Sequence, residues 1–356
     1  MSHPHASHVA VPTLTIGLDL GDRKSHYCSV DASGAIVESG TVVTSAAALR
    51  AVFASHPDAR VVLEVSTHSP WIARLLESLG CEVLVANPSA MYGPRRRRKR
   101  NDRMDAEFLA RQGRADPTLL HPVRHRSERA QQQLEMLRAR DQLVRARTQL
   151  INHVRGSVKS AGARIPRVSA EAFPLSAREH LPQPLRAVLL PLLQTIAQLT
   201  QRIRKYDTRI TQIITQEYPD AQRLQQISGV GPITALAFVL LIDDPTRFRH
   251  SRQVGAYLGL VPCLDESSTS TPQLRITKTG DPLARRLLVS AAQYILGPFG
   301  PDCDLRRFGE ALMVRGGGNA KKRAVIAVAR KLAVLLHHLW QQQTTYDPHH
   351  QAKRSA

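Results

Sequence analysis

The sequence predicts a small mixed α/β domain, then a pair of long helices, then a mostly helical third region. Three observations carry this. Short apolar runs with a period of two alternate with helical stretches from Leu14 to about Ala86. From Leu185 to Ile213 apolar residues recur with an unbroken alternation of four and three, the spacing of a coiled-coil seam. Beyond Ala221 the apolar segments are long, and Gly-Pro signals punctuate them.

In LTIGLDL, Leu14, Ile16, Leu18 and Leu20 fall on one face of a strand, and Thr15, Gly17 and Asp19 on the other. Strands follow at Tyr27 to Val30 and Ala35 to Val43, with Ser33-Gly34 as their turn. A helix from Ala46 to Phe53 leads into RVVLEVS, where Val61, Leu63 and Val65 oppose Val62 and Glu64. A helix from Pro70 to Leu79 stops at Gly80, and CEVLVANP reads as a buried strand.

Residues 95 to 129 then hold twelve Lys and Arg against five Asp and Glu. From Ser127 to Val158 the sequence is helical, with Leu137, Val144, Ile151 and Val158 at seven-residue intervals and Met136, Leu143 and Leu150 beside them. A Pro-rich break precedes the second stripe: Leu185, Leu189, Leu192, Ile196, Leu199, Ile203, Tyr206, Ile210 and Ile213. Pro191 sets the expected start of its regular helix. An antiparallel hairpin that also dimerises satisfies both stripes. The expected division is a flexible N-terminus at 1–12, an α/β domain at 13–120, a coiled-coil region at 121–220, a C-terminal domain at 221–340 and a flexible tail at 341–356.

The chain has 356 residues and a formal net charge of +20. Such a cation suits a polyanionic partner, nucleic acid before all others, because each neutralised phosphate releases counterions. Aromatics are only 4%, which disfavours a stacking platform for single strands. No apolar run reaches the roughly 18 to 20 residues that span a bilayer, so neither membrane insertion nor secretion is expected. Cys28, Cys81, Cys263 and Cys303 form no CxxC pair, indicating neither a zinc site nor a disulfide framework and fitting a reducing cytoplasm.

Four carboxylates stand out. Asp19 and Glu64 each oppose an apolar stripe near a strand end, and Asp102 and Asp105 share a face of one helix. Gathered in one place, they would repel one another unless a cation such as Mg²⁺ or Mn²⁺ sat among them, and such ions clamp the oxygens of a phosphoryl transfer. The plainer reading is that Asp102 and Asp105 only begin a helix, where the dipole favours acids. The run Arg95, Arg96, Arg97, Arg98, Lys99 and Arg100 stands just before them; it is either a solvated segment or a means of holding nucleic-acid backbone near the acids. SGVGPITA has the glycine spacing of a helix-hairpin-helix turn, with Gly229 and Gly231 letting backbone N–H groups face a phosphate. A basic helix carries Lys321 and Lys322. The cluster Glu266-Ser267-Ser268-Thr269-Ser270 reads as a polar loop unless a base or metal activates a hydroxyl; Lys278 and Arg285 downstream suit a phosphate.

Taken together, IGLDLGDRK, LEVSTHSPW, RNDRMDAEFLA, ISGVGPITA, RFRHSRQVGAYLGLVP, DESSTS and ITKTGDPLARRLL, in this order, resemble bacterial insertion-sequence transposases with a RuvC-like DEDD domain and a C-terminal serine domain. That group includes the Piv and MooV DNA invertases and the bridge-RNA-guided recombinases. The likeness runs from about Thr13 to Leu339. It implies an RNase H-like (RuvC-like) N-terminal domain, metal-binding roles for Asp19, Glu64, Asp102 and Asp105, and a serine nucleophile at Ser267 that forms a covalent phosphoserine with DNA. Many members have glycine after the nucleophile where this chain has Ser268, so Ser267 and Ser268 both stand as candidates. It further implies donor and target DNA, a structured guide RNA, a composite site between protomers, a dimer that becomes a tetramer at synapsis, and a cytoplasmic, nucleoid-associated enzyme. The rival readings are a RuvC-like hydrolytic nuclease and a non-catalytic architectural nucleic-acid-binding protein.

Overall fold

The computed structural model describes residues 12–91, 101–263 and 274–350. The chain divides into two compact units at His125/Arg126.

The first unit is built on five strands: β1 (Leu14–Asp19), β2 (Lys24–Asp31), β3 (Ile36–Val43), β4 (Arg60–Glu64) and β5 (Glu82–Ala86). Their order in the sheet is β3-β2-β1-β4-β5. The β1–β2 and β2–β3 pairs are antiparallel, whereas β1–β4 and β4–β5 are parallel. Helices α1 (Ala46–Phe53) and α2 (Ser69–Ser78) supply the crossovers. Phe53, Ile72 and Leu76 bury against Ile16, Leu18, Val61 and Leu63 on one face of the sheet. After the short α3 (Pro88–Met91), α4 (Asp102–Ala115) covers the opposite face, where Leu109 packs with Val62 and Ala86. Thr15 and Gly17, on the polar-looking side of β1, are therefore buried too. Arg60 is anchored beneath α4: its guanidinium donates to both Glu82 carboxylate oxygens at 2.9 and 3.2 Å and to the Gly113 carbonyl at 3.0 Å.

The second unit is helical: α5 (Glu128–Ser160), α6 (Phe173–Glu179), α7 (Gln183–Glu217), α8 (Pro219–Leu224), α9 (Pro232–Ile242), α10 (Arg252–Tyr257), α11 (Pro282–Ile295), α12 (Asp304–Val314) and α13 (Ala320–Gln342). Helices α5 and α7 form an antiparallel hairpin within the chain. Arg129 pairs with Glu217 at 2.7 Å, Arg140 with Asp207 at 2.5 Å, and Arg147 with Thr200 at 3.2 Å. The helix α7 does not begin near Pro191 but starts at Gln183 and runs through it. Pro191 and Ala187, whose carbonyl loses its usual donor, are both exposed, so the missing N–H leaves nothing buried unsatisfied. At the other end, Ala130, Leu134, Leu137, Ile210 and Ile213 belong to the same apolar core as α9, α11 and α13. The separate central and C-terminal domains expected from sequence thus share one core. Nor is the tail from 341 onward loose over its described part. The Asp304 N–H donates to the Pro348 carbonyl at 2.8 Å, and the Tyr346 ring packs on that core, because its apolar surface is better buried than wet. Among the described residues no helix is long and apolar enough to cross a membrane.

Candidate active site

The register of the sheet puts Leu18 beside Leu63 in the parallel β1–β4 pair. Asp19 and Glu64 therefore leave the carboxyl ends of adjacent strands one residue later. Both lie on the face that α4 covers, since Asp19 alternates with Gly17 and Glu64 with Val62. A Cβ built on Gly17 would lie 1.9 Å from the Ala106 carbonyl oxygen, and one on Gly113 would lie 2.3 Å from a Val62 methyl. Only glycines let α4 approach this closely. That seating brings the first turn of α4 to the same end of the sheet. Asn101 caps it through a side chain that accepts the Arg103 N–H at 3.1 Å, and Asp102 and Asp105 occupy it.

The electrostatics register the convergence. Asp19 is half-buried, and its carboxyl is pushed up to about 6, first by burial and then by repulsion from Asp105, Asp102 and Glu64. The charge of His26 opposes the rise. That histidine, which sequence reasoning missed, is the direct cross-strand partner of Asp19, and its Nε2 stands 3.7 Å from Asp102. A second histidine borders the site. Trp71 Nε1 donates to His68 Nδ1 at 3.2 Å, which leaves the proton on Nε2, 3.4 Å from Asp22. The pairing of β1 with β2 alone reveals His26, and period-two patterning says nothing of register.

All four donors are hard carboxylate oxygens, the type that Mg²⁺ and Mn²⁺ take. Asp19 is raised by burial first and by its acidic neighbours next, and a cation would relieve both, so the residues fit a divalent ion in kind. As placed, no three His, Cys, Asp or Glu side chains among the described residues stand close enough to share one ion. Closure of the four around a cation therefore needs side-chain movement, and Asp102, with 71% of its side chain exposed, is free to move.

The basic cluster divides in two. Arg95 to Arg100 lie outside the described residues. Of those that follow, several are held by the protein itself: Arg111 donates to the Gly34 carbonyl at 3.1 Å, Arg114 to Ala32 at 3.1 Å, and Arg126 to Leu241 at 3.1 Å. The charge that composition assigns to nucleic acid here is thus partly structural.

In the second unit, α8 and α9 are joined by the turn around Gly229 and Gly231. Gly229 has φ +88°, the region that favours glycine, and a Cβ on Gly231 would meet nothing within 4 Å, so the start of α9 opens to solvent. A cleft of about 390 Å³ lies there, lined by Ser228, Thr234, Ser290 and Tyr294. Lys278 is exposed, while the Arg285 guanidinium donates to the Leu258 and Thr279 carbonyls at 2.9 and 2.6 Å and clamps that loop. Lys321 and Lys322 are exposed on the first turn of α13. Ser267 and Ser268 lie outside the described residues, but the chain on either side of their segment is paired: the Cys263 N–H donates to the Arg275 carbonyl at 2.8 Å and the Thr277 N–H to Val261 at 2.9 Å.

Comparison with known proteins agrees along most of the chain. The DEDD transposase model of IS110, described as a transposase, matches residues 16–162, and the model described as "Transposase IS116/IS110/IS902 family" matches residues 221–302. A probable family 20 transposase of Pseudomonas aeruginosa is 30% identical over 343 residues, covering 94% of this chain and 98% of that protein. The transposase for insertion sequence element IS1111A of Coxiella burnetii is 28% identical over 338 residues, covering 93% and 90%. That for IS1328 of Yersinia enterocolitica is 30% identical over 288 residues, covering 80% and 84%. With both halves matched in order and full-length relatives at this identity, the chain belongs to the IS110/IS116 family of insertion-sequence transposases.

Proposed function

We propose that this transposase exchanges DNA strands by transesterification, with a serine of the segment Ser267-Ser268 as nucleophile and Asp19, Glu64, Asp102 and Asp105 as the carboxylates that hold Mg²⁺. One observation supports the acidic centre above the others. Asp19 is pushed up to about 6, by burial first and then by Asp105, Asp102 and Glu64, so acids of β1, β4 and α4 share one field, and a merely structural helix start would need only Asp102 and Asp105. When bound, the ion supplies a Lewis acid for the phosphoryl oxygens. The chain's own residues do the rest. The Ser267 oxygen attacks a DNA phosphorus and loses its proton, the P–O bond to the departing strand breaks, and that strand's oxygen takes up a proton. A DNA hydroxyl then attacks the phosphoserine, and the serine regains its proton. One phosphoester replaces another at each step, so no ATP is required.

On this reading the guide is a structured RNA, and the protein reads backbone rather than bases. The charge of +20 with 4% aromatics supports that division. The acidic unit of one protomer and the serine of another complete the site, and the α5–α7 hairpin joins the protomers.

Trapping on supercoiled plasmid carrying the native locus tests the mechanism. Wild type forms a covalent protein–DNA adduct, Ser267→Ala does not, and Ser268→Ala retains it. Cleavage by Ser267→Ala at the wild-type rate, with no adduct from wild type, would establish the hydrolytic nuclease instead. If Asp105→Ala left every DNA product unchanged, the chain would be architectural. Sequencing RNA that copurifies from the native locus tests guidance: a discrete species complementary to flanking DNA supports it, and random fragments refute it.

A further inference from the structure

The second unit carries a basic cleft that none of the sequence motifs for nucleic-acid contact includes. It lies between α13 and the loop that enters α10, and its volume is about 670 Å³. Arg249, His250 and Arg252 form one wall and Val334, His338 and Gln341 the other. On α13, Val334 and His338 are four residues apart and so share a face. Arg330, one turn earlier on that face, lays its stem over Gly255, where an added Cβ would meet its Cγ at 3.0 Å. The side chains of Arg249, Arg252, Arg330 and His338 are exposed. Among the described residues, no carboxylate lines the cleft.

These cations differ from the others nearby. The Arg247 guanidinium is taken up internally: it donates to the Ile242 carbonyl at 2.9 Å and sits over the Phe248 and Tyr257 rings at 5.9 and 5.7 Å. Arg306 donates to three carbonyls, and Lys331 lies over Phe308 at 4.3 Å. Among the described residues, no hydrogen bond or ion pair engages the side chains of Arg249, Arg252, Arg330 or His338. Arg249, Arg252 and His338 on the cleft walls, and Arg330 one turn along α13, have no acceptor among the described residues and so leave their N–H donors for a ligand that brings its own negative charge.

The wall is also fixed in place. His337 is fully buried beneath the cleft, its Nε2 2.9 Å from the Pro245 carbonyl and its Nδ1 2.9 Å from the Ser251 hydroxyl. A carbonyl can only accept, so Nε2 carries the proton and Nδ1 accepts from Ser251. Burial pushes this imidazole below its ordinary value and keeps it neutral. The Phe248 ring meets it edge to face at 5.7 Å. His337 thus ties both ends of the loop bearing Arg249 to α13, so the two arginines are held at a set place rather than on a loose strand.

We infer that the cleft between α10 and α13 is a nucleic-acid backbone site, in which Arg249, Arg252, Arg330 and His338 contact successive phosphates without reading sequence. A cleft of about 670 Å³ walled by arginines from two elements, with no carboxylate among its lining residues, suits a polymer of phosphates better than a single oxyanion. The proposal relies on the family assignment only for the presence of nucleic acid; it does not depend on which residue is the nucleophile.

Equilibrium binding by fluorescence anisotropy tests it, on the full-length protein and without divalent metal, so that cleavage plays no part. The probes are a mixed-sequence DNA duplex and a mixed-sequence RNA hairpin, each titrated at several salt concentrations. Arg249→Ala with Arg252→Ala is expected to weaken binding about tenfold or more and to lower the slope of log K against log salt by about two, one for each phosphate no longer neutralised. The double Lys variant retains most of both. Loss confined to the RNA probe assigns the cleft to RNA, and loss confined to the duplex assigns it to DNA; either supports the proposal. Unchanged affinity and slope on both probes overturns it. Because both arginines are exposed and unpaired, the thermal midpoint should not move; His337→Phe, which keeps the volume but frees the loop, should weaken binding while leaving the salt slope nearer wild type.

Discussion

Gly17 and Ala106 stand so close that a single added methyl on Gly17 would lie 1.9 Å from the Ala106 carbonyl oxygen. This contact seats α4 on β1 and so sets the distance from Asp19, two residues further along β1, to Asp105, one residue before Ala106. Gly17→Ala is expected to lift α4, at a cost of about 1–3 kcal/mol, and to lower DNA cleavage by about 100-fold, as small misplacements of reacting groups do. Calorimetry and plasmid cleavage check this together. Full activity in a folded Gly17→Ala protein would show that the seating of α4 does not position the acids.

Asp19 makes a prediction of opposite sign for stability and activity. Its carboxyl is held up to about 6, by burial first and by Asp105, Asp102 and Glu64 next. The unfolded group titrates near about 3.9. Between those values the unfolded chain has released a proton that the folded chain retains, so rising pH erodes stability from about pH 4 to about pH 6 and leaves it flat above. Asp19→Asn removes the strain. Without divalent ions it is expected to be more stable than wild type at pH 7, by on the order of 1 kcal/mol once solvent screening of this half-exposed group is allowed for, and to be inactive. Adding Mg²⁺ should raise the wild-type midpoint and leave that of Asp19→Asn nearly fixed. Denaturant titration at pH 4.5 and pH 7, with and without Mg²⁺, provides the check.

Much of this is legible in the residues. Period-two patterning locates the strands because each contributes apolar side chains to the core beneath α1 and α2, and Gly80 and Ser33-Gly34 mark real turns. Sheet order is not legible. Nothing local to β1 states that β4 lies beside it, and Thr15 and Gly17 look like a solvated face when they are in fact the bed of α4. His26 is invisible for the same reason, since only the strand register sets it against Asp19. The α7 stripe is plain in the sequence, but its start is not, because a proline on an exposed face can be tolerated inside a helix that tertiary contacts hold. The cleft around Arg249 is not legible as a unit, because one wall falls in RFRHSRQVGAYLGLVP and the other lies some eighty positions further on.

Asp281 joins two parts of the second unit. Only 5% of its side chain is exposed; it caps α11 by accepting the Leu283 and Ala284 N–H groups at 2.8 and 3.1 Å, and it receives Arg138 of α5 at 2.8 Å. Burial alone would raise this carboxyl, but the Arg138 and amide hydrogen bonds outweigh it and hold the group below its ordinary value. A carboxylate lowered on folding contributes stability above its unfolded value, about 3.9, and loses it as pH falls through the folded one. Asp281→Ala should therefore cost about 2–4 kcal/mol at pH 7, from the lost cap and the stranded arginine, and progressively less below pH 4. A pH-independent loss would mean that packing, not charge, matters at this position.

The hairpin seam contains a buried polar layer at Arg147. Arg147 is 8% exposed on the apolar side of α5; it donates to the Thr200 hydroxyl at 3.2 Å and to Glu171 at 3.0 Å, and its Nε is buried without a partner. The Thr200 hydroxyl itself donates to the Ile196 carbonyl at 2.9 Å, and Glu171 keeps 44% of its side chain exposed. Removing the guanidinium thus leaves neither partner stranded. Replacing a buried charge by an apolar side chain of similar volume often stabilises, by about 1–4 kcal/mol. Arg147→Met with Thr200→Val should accordingly raise the thermal midpoint, and the double change should exceed the sum of the singles, because Thr200→Val alone takes an acceptor from the buried guanidinium. What the layer contributes instead is register, since it forms only when α5 and α7 align at this position. Cysteines engineered at Arg129 and Glu217 report this: they should crosslink fully in the parent and less completely in the stabilised double variant, where neighbouring registers differ less in energy.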